Sequence, residues 1–508
     1  MGSRLKNSAR NSFWGAFSNV LMTLLNFVVR TIFIKTLSNE YLGINGLFTN
    51  ILYVLNFAEL GFGNAIVYNL YKPVAKNDQE RIKTLVNLYK RIYFIIGIIV
   101  LTLGLLVVPF MNYIITEPPK INENLNFIYL LYLIETVCTY FFGYKKSVLL
   151  VYQKNYLNLI ISFIFSIIKS ILQIFILFLT HNYILYLFIY IISTIFSDIY
   201  ISLYVNKKYP FLKDKNIIKA TKEERHEIFE NVKSLFVYKL GNTVLNGTDN
   251  IILSMLIGIN AVGLYSNYSL IITAISGVLW NILSGLTGSI GNLNVYNDKK
   301  QQENIFHEVL FMSCLLYGFG MTCISLLINP FINVWIGKEY LITQLTVIIL
   351  ASICYFRGIV YPTNTYRDTL GLFKEGKLIP FMSSIINIVL SFTLGILLGM
   401  KGIFLATLIS ILTTTFWYMP KIIYNKIFKT SVLIYFKKVL IFTIPFIISY
   451  ILCINIFKFI NTNLFISLIL KTIIVLIVTS ILFIIIEYNQ QEFKELKRKC
   501  LYLIKKKG

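Results

Sequence analysis

Four polar residues recur inside one apolar stretch of this sequence, residues 236–252. They are Lys239, Asn242, Asn246 and Asp249, at spacings of three, four and three. That spacing predicts one face of a helix. An ionised side chain at the centre of a bilayer costs roughly 2.5–3.5 kcal/mol on insertion scales, so such residues face a protein interior or a wet cavity. The stretch therefore predicts a polar wall and not a lipid-facing helix.

Other apolar runs carry charges in the same way. The cations well inside such runs are Arg30, Lys169, Lys239 and Arg357, and the acids available to pair with them are Glu59, Glu135, Asp198 and Asp249. Asn26 and Asn246 share the helix faces of Arg30 and Lys239. Two interpretations stay open: internal ion pairs without a ligand, or a cavity whose charges bind one. The uncharged polar residues equally fit hydrogen bonding between membrane helices.

Several cations in one cavity favour an anionic ligand. Arginine can hold a phosphate through two parallel donors, and lysine supplies a point charge. Tyrosine and tryptophan offer an apolar plane and a hydrogen-bonding edge to a sugar ring. Many of the 34 tyrosines equally fit the aromatic belts at a membrane interface.

The composition indicates a membrane protein. The 508-residue chain is 56% hydrophobic, has a mean hydropathy of +0.71 and contains only 14% charged residues, too few for the surface of a soluble protein of this size. Cytoplasmic loops rich in lysine and arginine explain the net charge of +24 better than nucleic-acid binding does. No cysteine or histidine spacing indicates a metal site, and His181, His226 and His307 are expected to be solvated.

About fourteen apolar runs are long enough to span a bilayer as helices. Their approximate bounds are 12–34, 44–68, 91–115, 125–144, 157–180, 184–206, 234–257, 261–291, 306–329, 342–363, 378–399, 403–425, 438–460 and 464–487. The glycine-rich run 261–291 is expected to be broken or tilted. Basic residues concentrate in alternate loops, which predicts that both termini are cytoplasmic. The predicted fold class is an all-α polytopic membrane protein.

Two basic segments are predicted to lie on the membrane surface. The first, 207–233, separates the two halves of the chain and has the pattern of a short amphipathic helix. The second is the tail, 488–508, which we expect on an anionic leaflet. The halves also share a short echo, since residues 30–47 resemble 249–267 with one inserted residue. Both segments are predicted to begin on the cytoplasmic side, so the repeat would be parallel.

Several motifs, taken in order, are similar to those of a known family. They include Leu42-Gly-Ile-Asn-Gly-Leu-Phe, Asp249-Asn-Ile-Ile-Leu and Gly371-Leu-Phe-Lys. Over essentially its whole length the chain resembles the Wzx-type bacterial polysaccharide flippases of the multidrug/oligosaccharidyl-lipid/polysaccharide (MOP) exporter superfamily.

The resemblance implies two six-helix lobes across a central cavity, followed by two further helices. On this sequence the divisions are an N-terminal lobe 1–206, a linker 207–233, a C-terminal lobe 234–425, additional helices 426–487 and a tail 488–508. Arg30 and Asp249 lie at corresponding points of the two repeats.

The resemblance also implies a function. A flippase of this type moves an undecaprenyl-diphosphate-linked oligosaccharide from the inner to the outer leaflet by alternating access, without ATP hydrolysis. We expect a monomer in the bacterial cytoplasmic membrane and no cofactor beyond a coupling H⁺ or Na⁺. The expected partners are the lipid-linked substrate and membrane lipids, with no nucleic acid. Polysaccharide polymerase and glycosyltransferase partners stay open.

Roles for the charged residues follow from this interpretation. Arg30, Lys239 and Arg357 would hold the diphosphate with help from Lys169, beside Asn26 and Asn246. Glu59 and Asp249 would pair with these cations in one state and release them in another. Glu135 and Asp198 are further candidates for ion pairing.

Three alternatives remain at this level. A drug or cation exporter of the same superfamily would use buried carboxylates for organic cations. A membrane glycan polymerase or glycosyltransferase needs a catalytic acid or metal-binding carboxylates, whereas the short outer loops carry only isolated Glu117, Glu123 and Glu339. A channel is the third, although polar faces in both halves fit a closed cavity better.

Overall fold

The computed structural model of this chain is almost wholly helical. It describes residues 2–59, 62–214, 236, 239–293, 299–369, 372 and 375–505. In these ranges twelve helices are long and apolar enough to cross a membrane. The chain forms two compact units, Met1–Gly263 and Leu264–Gly508. The fold is therefore the expected all-helical membrane architecture, and the predicted total of fourteen spans stays a prediction.

The first unit is built from antiparallel helices joined by short turns. Its described helices are α1 (Gly2–Thr36), α2 (Asn39–Leu55), α3 (Phe62–Ala75), α4 (Gln79–Val107), α5 (Met111–Ile114), α6 (Leu125–Gly143), α7 (Lys146–Val151), α8 (Asn155–Thr180), α9 (Tyr183–Lys208), α10 (239–247), α11 (Asp249–Leu256) and the start of α12 (Ile259–Leu293). The turn from α8 to α9 shows how the sequence sets these joints. His181 ends α8 in the left-handed region at φ 51°, and the Asn182 side chain accepts from the Leu185 amide to begin α9.

Two predicted spans of the first unit are interrupted. The run 44–68 becomes α2, a 3₁₀ turn over Asn56–Glu59, and α3. The run 234–257 bends at Thr248, between α10 and α11. There the Thr248 amide and hydroxyl both donate to the Val244 carbonyl, at 3.2 and 2.9 Å, a pattern that bends helices.

The second unit continues from α12. Its described helices are α13 (Lys299–Trp335), α14 (Gln344–Thr369), α15 (Ile379–Leu398), α16 (Met400–Thr413), α17 (Thr415–Ile423), α18 (Leu433–Phe457), α19 (Leu464–Glu487) and α20 (Gln491–Lys505). Of the expected break or tilt over 261–291, the break is wrong because α12 is continuous, and the tilt stays a prediction. Inside a bilayer an unbroken helix keeps every backbone group hydrogen-bonded, which outweighs the low helix propensity of its glycines.

The buried core of the second unit includes His307. The Nε2 atom of His307 lies 2.7 Å from the Tyr424 hydroxyl oxygen, and only 6% of the residue is exposed. The expectation that this histidine is solvated is therefore wrong. The reason is that α13 begins at Lys299, about two turns before His307, so the histidine lies inside the helix and on its packed face.

Of the two predicted surface segments, the structure describes most of the tail but little of the segment between the halves. The tail forms α20 as a helix, and its Glu492 and Lys499 make ion pairs with Lys438 of α18 and Glu308 of α13. The C-terminal helix is thus fastened to the second unit by specific contacts. The predicted amphipathic helix between the halves falls largely on 215–235, which lies outside the described residues.

Candidate functional site

The 3₁₀ turn after α2 places a carboxylate among tyrosines of the first unit. The Tyr93 hydroxyl of α4 donates to Glu59 Oε1, and the Tyr89 hydroxyl donates to Tyr93 over 2.8 Å. Tyr140 of α6 donates to Asn56 Oδ1 over 2.9 Å. This chain of hydrogen bonds holds the Glu59 carboxyl group in place.

Lys239 of α10 belongs to the same group. It is half-buried, and its ammonium interacts electrostatically with Glu59. The structure thus brings together two predicted site residues, Glu59 and Lys239, that are far apart in the sequence of the first unit. We call Glu59, Tyr89, Tyr93, Tyr140 and Lys239 the Glu59 cluster.

A second group surrounds Arg30 of α1. Its electrostatic neighbours are the hydroxyls of Tyr186, Tyr132 and Tyr183. The Tyr132 and Tyr183 hydroxyl oxygens lie 3.1 Å apart, and Asn45 Nδ2 donates to Tyr132 over 2.7 Å. We call these five residues the Arg30 cluster.

The charge of Arg30 is not balanced within this cluster. Its three electrostatic neighbours are all tyrosines, and none of the described carboxylates is among them. A guanidinium stays protonated in proteins, and tyrosine hydroxyls are neutral at physiological pH. The cluster therefore has one positive charge and several hydroxyls, which suits an anion with many acceptor oxygens.

Lys169 of α8 has different surroundings. Its ammonium lies 5.2 Å from the centre of the Tyr190 ring and interacts electrostatically with Glu135 of α6. Glu135 is buried and accepts a hydrogen bond from the Tyr190 hydroxyl. This cation is thus next to an acid, as the interpretation of internal ion pairs expects.

The remaining predicted acids lie apart from these clusters. Asp198 of α9 is buried, and its Oδ1 lies 2.5 Å from the Nζ of Lys146, at the start of α7. Asp249 is the first residue of α11, so the bend at Thr248 separates it from the face that Lys239 begins on α10.

The two predicted asparagines are exposed. Asn26 lies one turn before Arg30 on α1, and Asn246 lies on α10. The Asn246 side chain donates to the Asn242 carbonyl over 2.7 Å. Both can therefore offer further polar atoms to a ligand.

Arg357 belongs to the second unit and is exposed on α14, although its neighbours Gly358 and Ile359 are buried. One turn later, the Tyr361 ring contacts the Trp280 ring edge to face at a centroid distance of 4.7 Å. An exposed cation one turn before a tyrosine that contacts an exposed tryptophan suits a ligand that combines phosphate with sugar.

The tyrosines are the site residues that the charge pattern did not identify. Tyr183, Tyr186 and Tyr190 follow one face of α9 at spacings of three and four, and Tyr89 and Tyr93 follow one face of α4. That spacing is the signal that could have found them. It stands out less than a charge because tyrosine is abundant throughout this chain.

One lysine outside the spans has an altered acidity. Lys145 follows α6, is buried, and donates to Asn206 Oδ1 over 2.6 Å. Burial, with the nearby charges of Lys90 and Lys213, lowers the pKa of Lys145 to about 8. Lys145, Lys90 and Lys213 thus form a group of neighbouring positive charges in the first unit.

The chemistry that these groups support is the binding of an anionic or hydroxyl-rich ligand. Fixed cations and hydroxyls can hold phosphate oxygens and sugar hydroxyls. Within the described ranges no set of three or more His, Cys, Asp or Glu residues is arranged to hold a metal ion.

Comparison with known proteins gives one family and one fold. The profile of a family described as "Polysaccharide biosynthesis protein" matches residues 8–287, more than half of the chain. No curated protein sequence matches the chain.

Several solved structures share the fold. The lipid II flippase MurJ, in an inward closed conformation, is 17% identical with a TM-score of 0.67, covering 94% of this chain and 98% of MurJ. An inward-facing multidrug resistance MATE family transporter is 13% identical with a TM-score of 0.63, covering 81% and 96%. The Vibrio cholerae MATE transporter VcmN is 14% identical with a TM-score of 0.53, covering 85% and 100%. At these identities the likeness concerns the fold alone.

Proposed function

Because the chain belongs to the polysaccharide biosynthesis protein family and has a MOP-superfamily fold, we propose that it is a lipid-linked oligosaccharide flippase. Its substrate would be an undecaprenyl-diphosphate-linked oligosaccharide, moved from the cytoplasmic to the outer leaflet of a bacterial cytoplasmic membrane. Transport would occur by alternating access through a cationic cavity. The product would serve the synthesis of a cell-surface polysaccharide.

The observation that carries this proposal is the unbalanced charge of Arg30. A diphosphate supplies the missing negative charge and accepts hydrogen bonds from hydroxyls that now bond to one another. Transfer of a diphosphate through about 30 Å of hydrocarbon needs such a polar path, while the lipid tail can stay in the bilayer.

The other polar residues would contribute to substrate binding to different degrees. Lys239 and Arg357 would share the diphosphate with Arg30, and Lys169 would assist when Glu135 releases it. Asn26 and Asn246 would contact the phosphate or the first sugar. These assignments follow from charge and exposure.

The carboxylates would couple transport to an ion gradient. Glu59 interacts with Lys239 and Glu135 interacts with Lys169, so protonation or Na⁺ binding at either acid would free a lysine for the substrate. Asp249 would act in the same way in another state. Asp198, held by Lys146, would serve as a structural ion pair. The transporter would work as a monomer, with polymerases and glycosyltransferases as candidate partners.

Reconstitution tests the function itself. We expect proteoliposomes containing the full chain to flip a short-chain polyprenyl-diphosphate oligosaccharide faster than protein-free liposomes. An imposed pH or sodium gradient should change the rate, and the gradient that acts identifies the coupling ion. Gradient-driven efflux of a fluorescent organic cation, with no flipping by the same folded preparation, would instead assign the chain to the drug exporters of this fold.

A further inference from the structure

Two acidic side chains are buried where the chain turns from α19 into α20. Glu487 is the last residue of α19 and is 0% exposed. Glu492 lies in the first turn of α20 and is 5% exposed. The two carboxyl groups interact electrostatically. Both belong to the second unit and are remote in sequence from the residues assigned to the substrate.

Most of their oxygen atoms lack a hydrogen-bond donor. Lys438 of α18 donates to Glu492 Oε1. The other three carboxyl oxygens, both of Glu487 and Oε2 of Glu492, are buried without a partner. An ionised carboxylate in this position would carry the full cost of desolvation, so the pair needs a further positive charge.

The charged groups around the pair also leave it one positive charge short. The groups that interact electrostatically with the carboxyl pair include Cys314 on α13, Tyr424 after α17 and Lys438 on α18. His307 and Glu303 of α13 lie next to Tyr424. Lys499 is paired with Glu308, and His307 bonds to Tyr424. Among these described groups Lys438 is the cation bound to the carboxyl pair, so two carboxylates face one ammonium.

We propose that the buried carboxyl group of Glu487, beside that of Glu492, is a binding site for one proton. One proton makes the group of Glu487, Glu492 and Lys438 neutral and gives an orphaned oxygen a donor. The three orphaned oxygens are fewer than the roughly six to eight oxygen ligands that Ca²⁺ takes in proteins. This site is independent of the proposed transport function.

The proton fastens the C-terminal helix. With the proton bound, Glu492 stays buried and keeps its ion pair with Lys438, which holds the first turn of α20 against α18. When the proton leaves, an uncompensated negative charge remains in an apolar site. Exposing one carboxylate to water then becomes favourable, and the turn between α19 and α20 is where the chain can open.

Infrared difference spectroscopy tests the site on the full-length protein in lipid nanodiscs. Between about pH 6 and 9 the wild type should lose the carbonyl band of one protonated carboxyl. Glu487→Gln should abolish that band. The matched control, Glu495→Gln on the same helix, should keep it because Glu495 pairs with Arg498 at the surface. A wild-type spectrum without such a band, or a band that survives in Glu487→Gln, would overturn the proposal.

A second measurement follows the helix. A spin label at the end of α20 should become mobile in the wild type as the pH rises through the same transition. In Glu487→Gln it should stay immobile, because glutamine imitates the protonated acid. Removing the ammonium with Lys438→Met should alter the midpoint, since two carboxyl groups then interact without it. A midpoint that depends on sodium concentration instead of pH would show that the ligand is a metal ion and contradict the proton site.

Discussion

Arg30 and Lys169 are both cations inside predicted spans of the first unit, yet their surroundings lead to different roles. Lys169 has the carboxyl of Glu135 as a neighbour, whereas the neighbours of Arg30 are tyrosine hydroxyls. The sequence places both charges in the membrane but does not separate a balanced cation from an unbalanced one, because pairing depends on which helices meet. The contacts of α1 with α6 and α9 supply that distinction.

At the residue scale, the Tyr93 hydroxyl should hold the Glu59 carboxyl group in place and so stabilise the fold. In Tyr93→Phe, Glu59 loses the hydroxyl that donates to it. A lost hydrogen bond to a charged group costs about 1.5–3 kcal/mol, so we expect a clear fall in the thermal unfolding midpoint of the purified protein. Tyr68→Phe is the control, since Tyr68 is 68% exposed. Equal midpoints for the two variants would contradict the role of Tyr93.

Lys145 should make stability depend on pH in a defined direction. Its pKa is about 8 in the folded chain against an ordinary 10.5. Below about pH 8 both folded and unfolded chains carry the proton, and folding includes the cost of burying the ammonium. As the pH rises from about 8 to 10.5 the folded chain loses this proton first, so the free energy of unfolding should rise by about 1 kcal/mol after allowance for solvent screening.

Thermal unfolding at a series of pH values measures this effect. Lys145→Met should be more stable than the wild type near about pH 7.5 and should lack the Lys145-dependent rise. Lys207→Met, which changes an exposed lysine of α9, should retain the wild-type pH dependence. Identical pH profiles for Lys145→Met and the wild type would show that Lys145 is not responsible.

At the element scale, the motifs shared by the two halves are packing motifs. A Cβ added at Gly43 of α2 would lie 2.1 Å from the carbonyl oxygen of Ile259, and one at Gly263 would lie 2.4 Å from the carbonyl oxygen of Asn39. The start of α2 and the start of α12 therefore approach through backbone contact. The glycines of the resembling stretches serve this approach inside the first unit.

Gly43→Ala should accordingly separate α2 from α12. Because the obstacle is a backbone oxygen, it cannot be relieved by a rotamer change, and overpacking of this kind typically costs about 1–3 kcal/mol. Gly277→Ala is the matched control, since a Cβ there meets nothing within 4 Å. We expect a lower unfolding midpoint for Gly43→Ala alone. A Gly43 variant as stable as the Gly277 variant would contradict the close approach.

The helix interruptions mark the limit of prediction from sequence at this scale. Hydrophobic length correctly located the long helices, because a bilayer requires continuous backbone hydrogen bonding. It did not locate the turn at Asn56–Glu59 or the bend at Thr248. The bend depends on a side chain, the Thr248 hydroxyl, that competes with the backbone for the Val244 carbonyl. The turn depends on a partner distant in sequence, since Tyr93 donates to Glu59. The buried position of His307 escaped prediction for the related reason that the start of α13 was placed too late.

At the scale of the whole molecule, the chain folds into two compact helical units. Its described cations differ in whether a carboxylate lies next to them. Composition and loop charge were enough to predict the fold class and the membrane setting. The ordered motifs were enough to predict the family, which the match over residues 8–287 confirms. The tyrosine clusters and the carboxyl pair at the base of α20 required the structure, because they join residues from three or more helices.

The most direct test of the proposed function is the flipping rate of Arg30→Ala combined with Lys239→Ala. The control is Lys471→Met, which removes a cation of α19 whose ammonium lies 5.4 Å from the centre of the Phe457 ring. Each lost charge-assisted contact is worth about 1.5–3 kcal/mol, so the double variant should flip the lipid-linked oligosaccharide at least about a hundredfold more slowly. Lys471→Met should stay near the wild-type rate. Wild-type flipping by a correctly inserted Arg30→Ala, Lys239→Ala protein would contradict the cationic site.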